Sequence, residues 1–256
     1  MSPISDNLAA CVLVLNDEFF LPYVLEASRG YFSRYVIYDV GSTDRTRDII
    51  HWFMESNQSA SYFIREFDCV PPRLIQGVFR NSQIAETKTD YYYILDGDEI
   101  YADGFEILTK KWHAGRRAIT GGSIMKDKLY GVIRRVEISP DLTKRYSSLR
   151  THHRIYHRLA IFDGPHPGER PLIEQKPNNE IHIPEVLCHH FHNAERSSKE
   201  SDALKRQERK QQHTYHPGEL LPYDLLKELP ILRKPIEDFP VAPALRKLQN
   251  EYKLSV

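Results

Sequence analysis

Acidic residues follow two β-type runs of the sequence, at the points where the runs end. Asp39 follows the run YVIY, and Asp96, Asp98 and Glu99 follow the run YYYIL. The carboxyl ends of parallel strands meet at one edge of a sheet, so we expect these carboxylates to face a common crevice. A hard divalent cation, completed by diphosphate oxygens, would neutralise them. For either cluster alone, a solvated acidic turn is the alternative.

A second concentration of potential ligands is the segment CHHFH at 188–192. If Ile181–Phe191 is a strand, period-two alternation places Cys188, His190 and His192 on one face. Such a face would suit a metal ion, and zinc is one alternative because Cys and His are its favoured donors. For each histidine alone, an ordinary structural hydrogen bond is the competing interpretation.

The elements that must position these residues alternate between strand and helix over the first hundred residues, which is typical of βαβ units. We predict strands at 11–15, 35–38, 62–67 and 91–95, with helices at 18–29, after the turn GSTD at 41–44, and at 73–87. Further β-type runs follow at 124–138, 154–162 and 181–191, and a last short helix at 244–252. The pattern predicts an α/β fold with a mixed, mainly parallel sheet and helices on both faces.

Composition limits the class of protein. The 256 residues carry 35 basic and 35 acidic side chains, and 41% of them are hydrophobic. Such a chain forms a large globular core, and its neutrality disfavours nucleic acid as the main partner without excluding it. The three scattered cysteines suit a reducing, cytoplasmic compartment. No apolar run is long enough to predict a transmembrane segment, and peripheral membrane contact stays open.

In its motif order the chain resembles the family 2 nucleotide-sugar glycosyltransferases of the GT-A fold, loosely the lipopolysaccharide-core-type members. The resemblance rests on LNDE at 15–18, VIYDVGSTDRT at 36–46, Arg80-Asn81, and YILDGDE at 93–99. It implies a glycosyltransferase domain at 1–194, with a nucleotide-binding half at 1–114 and an acceptor half at 115–194. A helical, proline-punctuated C-terminal extension at 195–256 would follow.

The same resemblance implies where the donor and the cation bind. Asp39 would contact the base, and the Asp96/Asp98 pair would form the DxD motif that binds Mn²⁺ or Mg²⁺ at the diphosphate. A histidine near the end of the domain, His190 or His192, would complete the cation site. The residues implied for the nucleotide-sugar donor are Asn16, Asp17, Glu18, Asp39, Ser42, Asp44, Arg80, Asp96 and Asp98.

The resemblance also implies an inverting transfer, in which a general base deprotonates the acceptor hydroxyl. The segment from Arg154 to Glu169 is similar to one in lipopolysaccharide-core-type members. Glu169 is our first candidate for the base and Asp163 the second, and a structural salt bridge is the alternative for each.

These observations predict a metal-dependent, non-processive hexosyltransferase that moves a sugar from a nucleotide sugar, most simply a UDP-sugar, to a glycan or other hydroxyl acceptor. The sequence contains no GxGxxG, GxxxxGK[ST], GxSxG or QxxRW pattern, which disfavours dinucleotide enzymes, P-loop enzymes, α/β-hydrolases and processive synthases. Two alternatives stay open: a sugar-nucleotide pyrophosphorylase, and a catalytically inactive GT-A-like binding or scaffold domain.

Overall fold

A computed structural model describes most of the chain. The described residues are 8–67, 76–101, 104–120, 130–160, 162–163, 170–171, 180–191, 194 and 218–255.

The N-terminal half alternates strands and helices as predicted. Its first strand has the sequence LAACVLV and is buried almost throughout, as a strand covered on both faces requires. The elements are β1 Leu8–Val14, α1 Leu21–Ser28, β2 Arg34–Asp39, α2 Thr46–Ser56, β3 Ser61–Glu66, α3 Gln76–Glu86 and β4 Tyr91–Asp96.

The second half is richer in strands. Its elements are β5 Glu99–Tyr101, α4 Gly104–Thr120, β6 Tyr130–Ile138, β7 Lys144–His157, β8 Phe162–Asp163, β9 Arg170–Pro171, β10 Glu180–His190, β11 Leu220–Pro222, α5 Leu225–Glu228, a 3₁₀ turn Pro230–Arg233 and α6 Pro243–Ser255. Helix α4 is an element that the sequence analysis did not predict.

One mixed sheet organises the described strands, in the order β3-β2-β1-β4-β7-β6-β10-β5, with β11 on β7. The first four strands of this order are mutually parallel. Strand β7 is antiparallel to β4 and to β6, whereas β6 and β10 are parallel. The predicted mixed α/β sheet is therefore confirmed, and the carboxyl ends of β1, β2, β4, β6 and β10 are where ligands are expected.

Helices cover both faces of this sheet, as predicted. On one face, α1, α2 and α4 pack on the even-numbered residues of β1, with Val24, Ile50 and Phe105 among the buried contacts. On the other face, Ile84 of α3 packs with Cys11 and Tyr92. The alternation of side chains along β1 thus supplies two cores from one strand.

The C-terminal segment packs on the same domain. Strand β11 pairs with β7 through Leu220 and Tyr146. Leu225, Leu232 and Leu245 are buried in the core that includes α1. The division at 194/195 stays a prediction. In the described part of the chain, no helix has the length and apolarity that crossing a bilayer requires.

Candidate active site

The loops that follow β1 and β2 are joined by hydrogen bonds. The backbone N–H of Asn16 donates to Oγ of Ser42 at 2.9 Å, and Oδ1 of Asn16 accepts from the N–H of Thr43 at 2.8 Å. The N–H of Asp17 donates to Oγ1 of Thr46 at 2.9 Å. Asn16 takes a left-handed conformation, with φ of 53°, which Asn tolerates better than most residues. The two loops therefore form one rigid unit.

Glu18 and Asp44 complete this unit. The N–H of Glu18 donates to Oδ2 of Asp44 at 3.3 Å, and Oε2 of Glu18 accepts from the N–H of Arg45 at 3.0 Å. Oδ1 of Asp44 accepts from the N–H of Thr46, the first residue of α2, at 2.9 Å. Both carboxylates thus compensate free N–H groups at the start of a helix.

Asp39 is buried at the end of β2 with no exposed surface. Its Oδ1 accepts from the N–H of Ser42 at 2.9 Å, and its Oδ2 accepts from Nε of Arg47 at 2.6 Å. Arg47 also donates to the carbonyl oxygen of Phe67 at 2.6 Å. Asp39, which was predicted to contact the nucleotide, therefore holds the 39–46 loop in place through its bonds to Ser42 and Arg47.

The loop after β1 meets the loop after β4 at Gly97. A Cβ atom on Gly97 would lie 2.9 Å from Oδ2 of Asp17, so only glycine fits there without a shift. The same Oδ2 accepts from the N–H of Leu15 at 3.2 Å. The loop after β1 therefore lies directly against the loop after β4, at the ends of two adjacent parallel strands.

Two arginines form ion pairs with the carboxylate of Asp96. Nη2 of Arg80 lies 2.7 Å from Oδ1, and Nη1 of Arg154 lies 2.9 Å from Oδ2. The Arg80 and Arg154 side chains are 6% and 3% exposed, against 30% for Asp96. Burial alone would raise the pKa of Asp96, but Arg154 and Arg80 together hold this pKa well below its usual range. Asp96 is therefore ionised and already compensated.

Arg154 also forms an ion pair with Glu99, through Nη2 and Oε1. Glu99 is fully buried, and its Oε2 accepts from the hydroxyl of Tyr101 at 3.0 Å. Arg135 approaches the same carboxylate at 3.9 Å. A buried guanidinium from β7 therefore neutralises carboxylates on both sides of the 97–98 turn.

Asp98 lies in the turn that Arg154 anchors, and its partner is His190. Asp98 is 5% exposed, and its Oδ2 lies 3.4 Å from Nε2 of His190, at the end of β10. The other ring nitrogen, Nδ1, lies 2.7 Å from Oε2 of Glu137 on β6. Nε of Arg135 lies 3.1 Å from the second oxygen of Glu137. The structure therefore brings two of the predicted metal ligands together.

The alternation predicted for β10 is observed over the residues that the structure describes. The side chains of Cys188 and His190 contact Tyr101 and Glu137, respectively, whereas His189 bonds to the hydroxyl of Tyr223 at 2.5 Å. Burial raises the pKa of the Cys188 thiol well above its usual value. Within the described ranges, no group of three or more His, Cys, Asp or Glu residues is arranged to hold a metal ion.

Some predicted residues lie outside the described part of the chain. These are Glu169, the first candidate for the general base, and His192, the second candidate histidine. For Asp163, the strand is described but the side chain is not. Their roles stay predictions.

A divalent cation of the Mg²⁺ or Mn²⁺ kind would fit at Asp98 and His190. Mg²⁺ is usually held by one or two protein ligands plus phosphate oxygens and water, so two donors suffice when a diphosphate completes the shell. The 3.4 Å between the carboxylate oxygen and the ring nitrogen suits two ligands of one ion. Both oxygens of Asp96 are engaged by arginines, so in this arrangement Asp96 would not be a direct ligand of the ion.

Four charged residues of this site were not among the predicted site residues: Arg47, Arg135, Glu137 and Arg154. The spacing of the sequence carries no signal for the first three. Arg154 is the first residue of the 154–169 segment, which resembles a segment of lipopolysaccharide-core-type members. That resemblance could have indicated Arg154 as a site residue.

No protein-family model matches the chain, and no curated protein sequence matches it. Several solved structures are similar to it in backbone. TarS 1–349 from S. aureus in complex with UDP-GlcNAc matches with 10% identity and a TM-score of 0.46, over 77% of this chain and 61% of that chain. The mannosyltransferase PcManGT from Pyrobaculum calidifontis, in complex with GDP-Man and Mn²⁺, matches with 13% identity and a TM-score of 0.48, over 98% of this chain and 71% of that chain.

The chain thus spans about three fifths of the length of the TarS fragment. At such identities a likeness concerns the backbone alone. The strand order described above, four parallel strands joined to an antiparallel neighbour with helices on both faces, is a mixed α/β architecture that is consistent with the predicted GT-A fold.

Proposed function

We propose that the chain is a cation-dependent, non-processive glycosyltransferase that moves a hexosyl group from a nucleotide sugar to a hydroxyl acceptor. A UDP-sugar is the proposed donor and a glycan the simplest acceptor class. The proposal draws on the motif resemblance and on the GT-A fold, and one observation carries it. Asp98 and His190, from the ends of two different strands, lie 3.4 Å apart, and Gly97, next to Asp98, packs against Asp17 of the 15–18 loop.

The cation would bind at Asp98 and His190 and would supply stabilisation of the negative charge that develops on the leaving nucleoside diphosphate. The residues of this chain do the rest. Hydrogen bonds between the 15–18 and 39–46 loops fix the polar groups of both loops. The two loops together would form one side of the nucleotide site. Arg154 holds the turn that carries Asp98 in position.

Inversion requires a base on the acceptor side, and we keep Glu169 as the first candidate and Asp163 as the second. The base would accept the proton of the acceptor hydroxyl while the oxygen attacks the sugar carbon and the bond to the diphosphate breaks. Glu169→Gln should then remove transfer and leave donor binding intact.

A binding or scaffold domain is the second candidate function, and the ion pairs of Asp96 favour it. An active DxD motif needs accessible carboxylates, whereas both Asp96 oxygens are occupied by Arg80 and Arg154. The two functions differ in a simple measurement, because a scaffold would release no nucleoside diphosphate.

The experiment is a nucleoside diphosphate release assay with UDP- and GDP-sugars, with Mn²⁺, with Mg²⁺ and with a chelator. Slow release by hydrolysis is expected even without the acceptor. The proposal predicts release with at least one donor, stimulated by the cation and abolished by the chelator. Absence of release together with absence of cation-dependent nucleotide binding would support the scaffold.

A reducing, cytoplasmic location is part of the proposal. It is supported by Cys11 and Cys188, which are both buried and unpaired.

A further inference from the structure

We propose that Glu137 is a positioning residue for the cation site, a role that nothing in the motif resemblance assigns. Glu137 accepts a hydrogen bond from Nδ1–H of His190 and so directs Nε2 of the ring toward the side of Asp98. This inference rests on the proposed function, because it concerns the same cation.

The sheet itself places the two side chains together. In the parallel pairing of β6 with β10, Glu137 is the register partner of His190, and partners in such a pair share a face of the sheet. Oε2 of Glu137 lies 2.7 Å from Nδ1 of His190, and Glu137 is only 4% exposed. Backbone pairing, and not a flexible loop, therefore sets the contact.

Arg135 keeps Glu137 available as an acceptor. Its Nε lies 3.1 Å from Oε1 of Glu137, so the buried carboxylate has a positive neighbour on the side away from the histidine. The Nη1 atom of the same arginine lies 2.9 Å from Nδ1 of His152, which accepts this hydrogen bond. A hydrogen bond to His152 therefore fixes Arg135, whose positive charge lies next to the Glu137 carboxylate.

The consequence for His190 follows from the chemistry of imidazole. A neutral ring carries one N–H, and the partner of that N–H decides which nitrogen offers a lone pair. With Nδ1–H donated to Glu137, Nε2 offers its lone pair on the side of Asp98. A carboxylate in this place also raises the basicity of the ligating nitrogen.

The test is Mn²⁺ binding by titration calorimetry at saturating UDP, and at saturating GDP, for wild type and Glu137→Gln. Partners of metal-bound histidines typically change metal affinity 10–100-fold, so we expect the Mn²⁺ Kd to rise by about that factor in Glu137→Gln. An Mn²⁺ Kd within about twofold of wild type would overturn the inference.

Glu180→Gln is the matched control. Glu180 lies at the start of β10, where its carboxylate contacts His153 at 2.9 Å and His182 at 3.0 Å. The register partners of Glu180 and His190 on β6 are Tyr130 and Glu137, seven residues apart, so the two sites lie about 23 Å from each other at roughly 3.3 Å per residue. Glu180→Gln also removes a carboxylate that contacts histidines, but far from the cation site. It should therefore leave the Mn²⁺ Kd unchanged.

A second readout needs no variant at Glu137. The ring ¹⁵N signals of His190, assigned by comparison with His190→Gln, report its tautomer in wild type with Mg²⁺ and UDP bound. We expect the proton on Nδ1. A proton on Nε2 would overturn the inference even if Glu137→Gln does not fold.

The outcomes separate this inference from the proposed function. If Asp98→Asn abolishes Mn²⁺ binding and Glu137→Gln does not weaken it, the positioning role is wrong and the cation site stands. If the wild type binds no Mn²⁺ with either nucleotide, the cation site and the role of Glu137 are both wrong.

Discussion

The Nη1 atom of Arg154 lies 2.9 Å from Oδ2 of Asp96, and this ion pair joins β7 to the end of β4. The second terminal nitrogen of Arg154 pairs with Glu99. One buried guanidinium thus connects the two ends of the turn that carries Asp98. Charge compensation inside the protein fixes this turn before a ligand arrives.

Replacing Arg154 should therefore destabilise the fold. Arg154→Met leaves Glu99 fully buried without its closest cation, and breaking a buried ion pair costs about 3–5 kcal/mol. Urea unfolding followed by circular dichroism measures the loss. Arg158→Met is the control, since Arg158 is 58% exposed and lies 3.8 Å from Asp90, a pair that contributes about 1 kcal/mol or less. Equal losses in the two variants would contradict the buried role.

Asp98→Asn should remove cation-dependent release of nucleoside diphosphate. The amide keeps the shape of the side chain and removes the charge, so thermal stability should stay nearly unchanged. We expect release to fall by at least about 100-fold, because a metal ion supplies several kcal/mol of charge stabilisation. Asp90→Asn is the control and should keep wild-type release, because Asp90 directly precedes the first residue of β4, at the end away from Asp98. Retained turnover in Asp98→Asn would refute the ligand assignment.

Asp39→Asn should weaken nucleotide binding. The change turns an acceptor for Arg47 into a donor and loosens the 39–46 loop, while the contact with Ser42 can persist. A charge-assisted hydrogen bond contributes about 1.5–3 kcal/mol, which sets the upper limit for the cost of reordering the loop, and we expect the Kd for UDP to rise by up to about tenfold.

Fluorescence or calorimetric titration with UDP measures the effect of Asp39→Asn. Asp48→Asn is the matched control, because Asp48 is 63% exposed and pairs only at the surface with Arg45. A less stable Asp39→Asn protein with an unchanged Kd would show that Asp39 has a structural role alone.

The stability of the fold should fall between pH 7 and pH 5 because of His189. Burial lowers the pKa of His189 to about 4. The unfolded chain, with a histidine pKa of about 6.5, then binds more protons than the native protein between these values, so acid favours unfolding. The expected loss from this residue alone is about 2 kcal/mol between pH 7 and pH 5.

Urea unfolding at the two pH values measures this difference. His189→Gln should reduce it by about the stated amount. His51→Gln, at a ring that is 50% exposed, should leave the difference close to wild type. A pH dependence that is the same in wild type and His189→Gln would contradict the assignment.

The N-terminal half of the fold was predictable because its signals are local. The buried run of β1 and the acidic turns after β2 and β4 each lie within a few residues, and parallel strands bring such turns to one edge. Helix α4 was missed although the sequence contains a pattern that predicts it. Phe105, Leu108 and Trp112 follow the spacing i, i+3, i+7 of an apolar helix face.

The charge network was not predictable from local patterns. Arg154 reaches Asp96 across 58 residues and Glu137 reaches His190 across 53, through strands inserted next to β4 and β10. The order and register of these strands follow from long-range packing, because a shift of one residue would turn each side chain to the other face. The pairing of Glu137 with His190 therefore becomes visible only in the folded chain.

A crystal structure with Mn²⁺ and UDP tests the central claim most directly. We expect an anomalous signal for Mn²⁺ about 2.1 Å from a carboxylate oxygen of Asp98 and from Nε2 of His190, with diphosphate oxygens on the same ion. A nucleotide bound elsewhere, or Mn²⁺ that contacts neither side chain, would contradict the account.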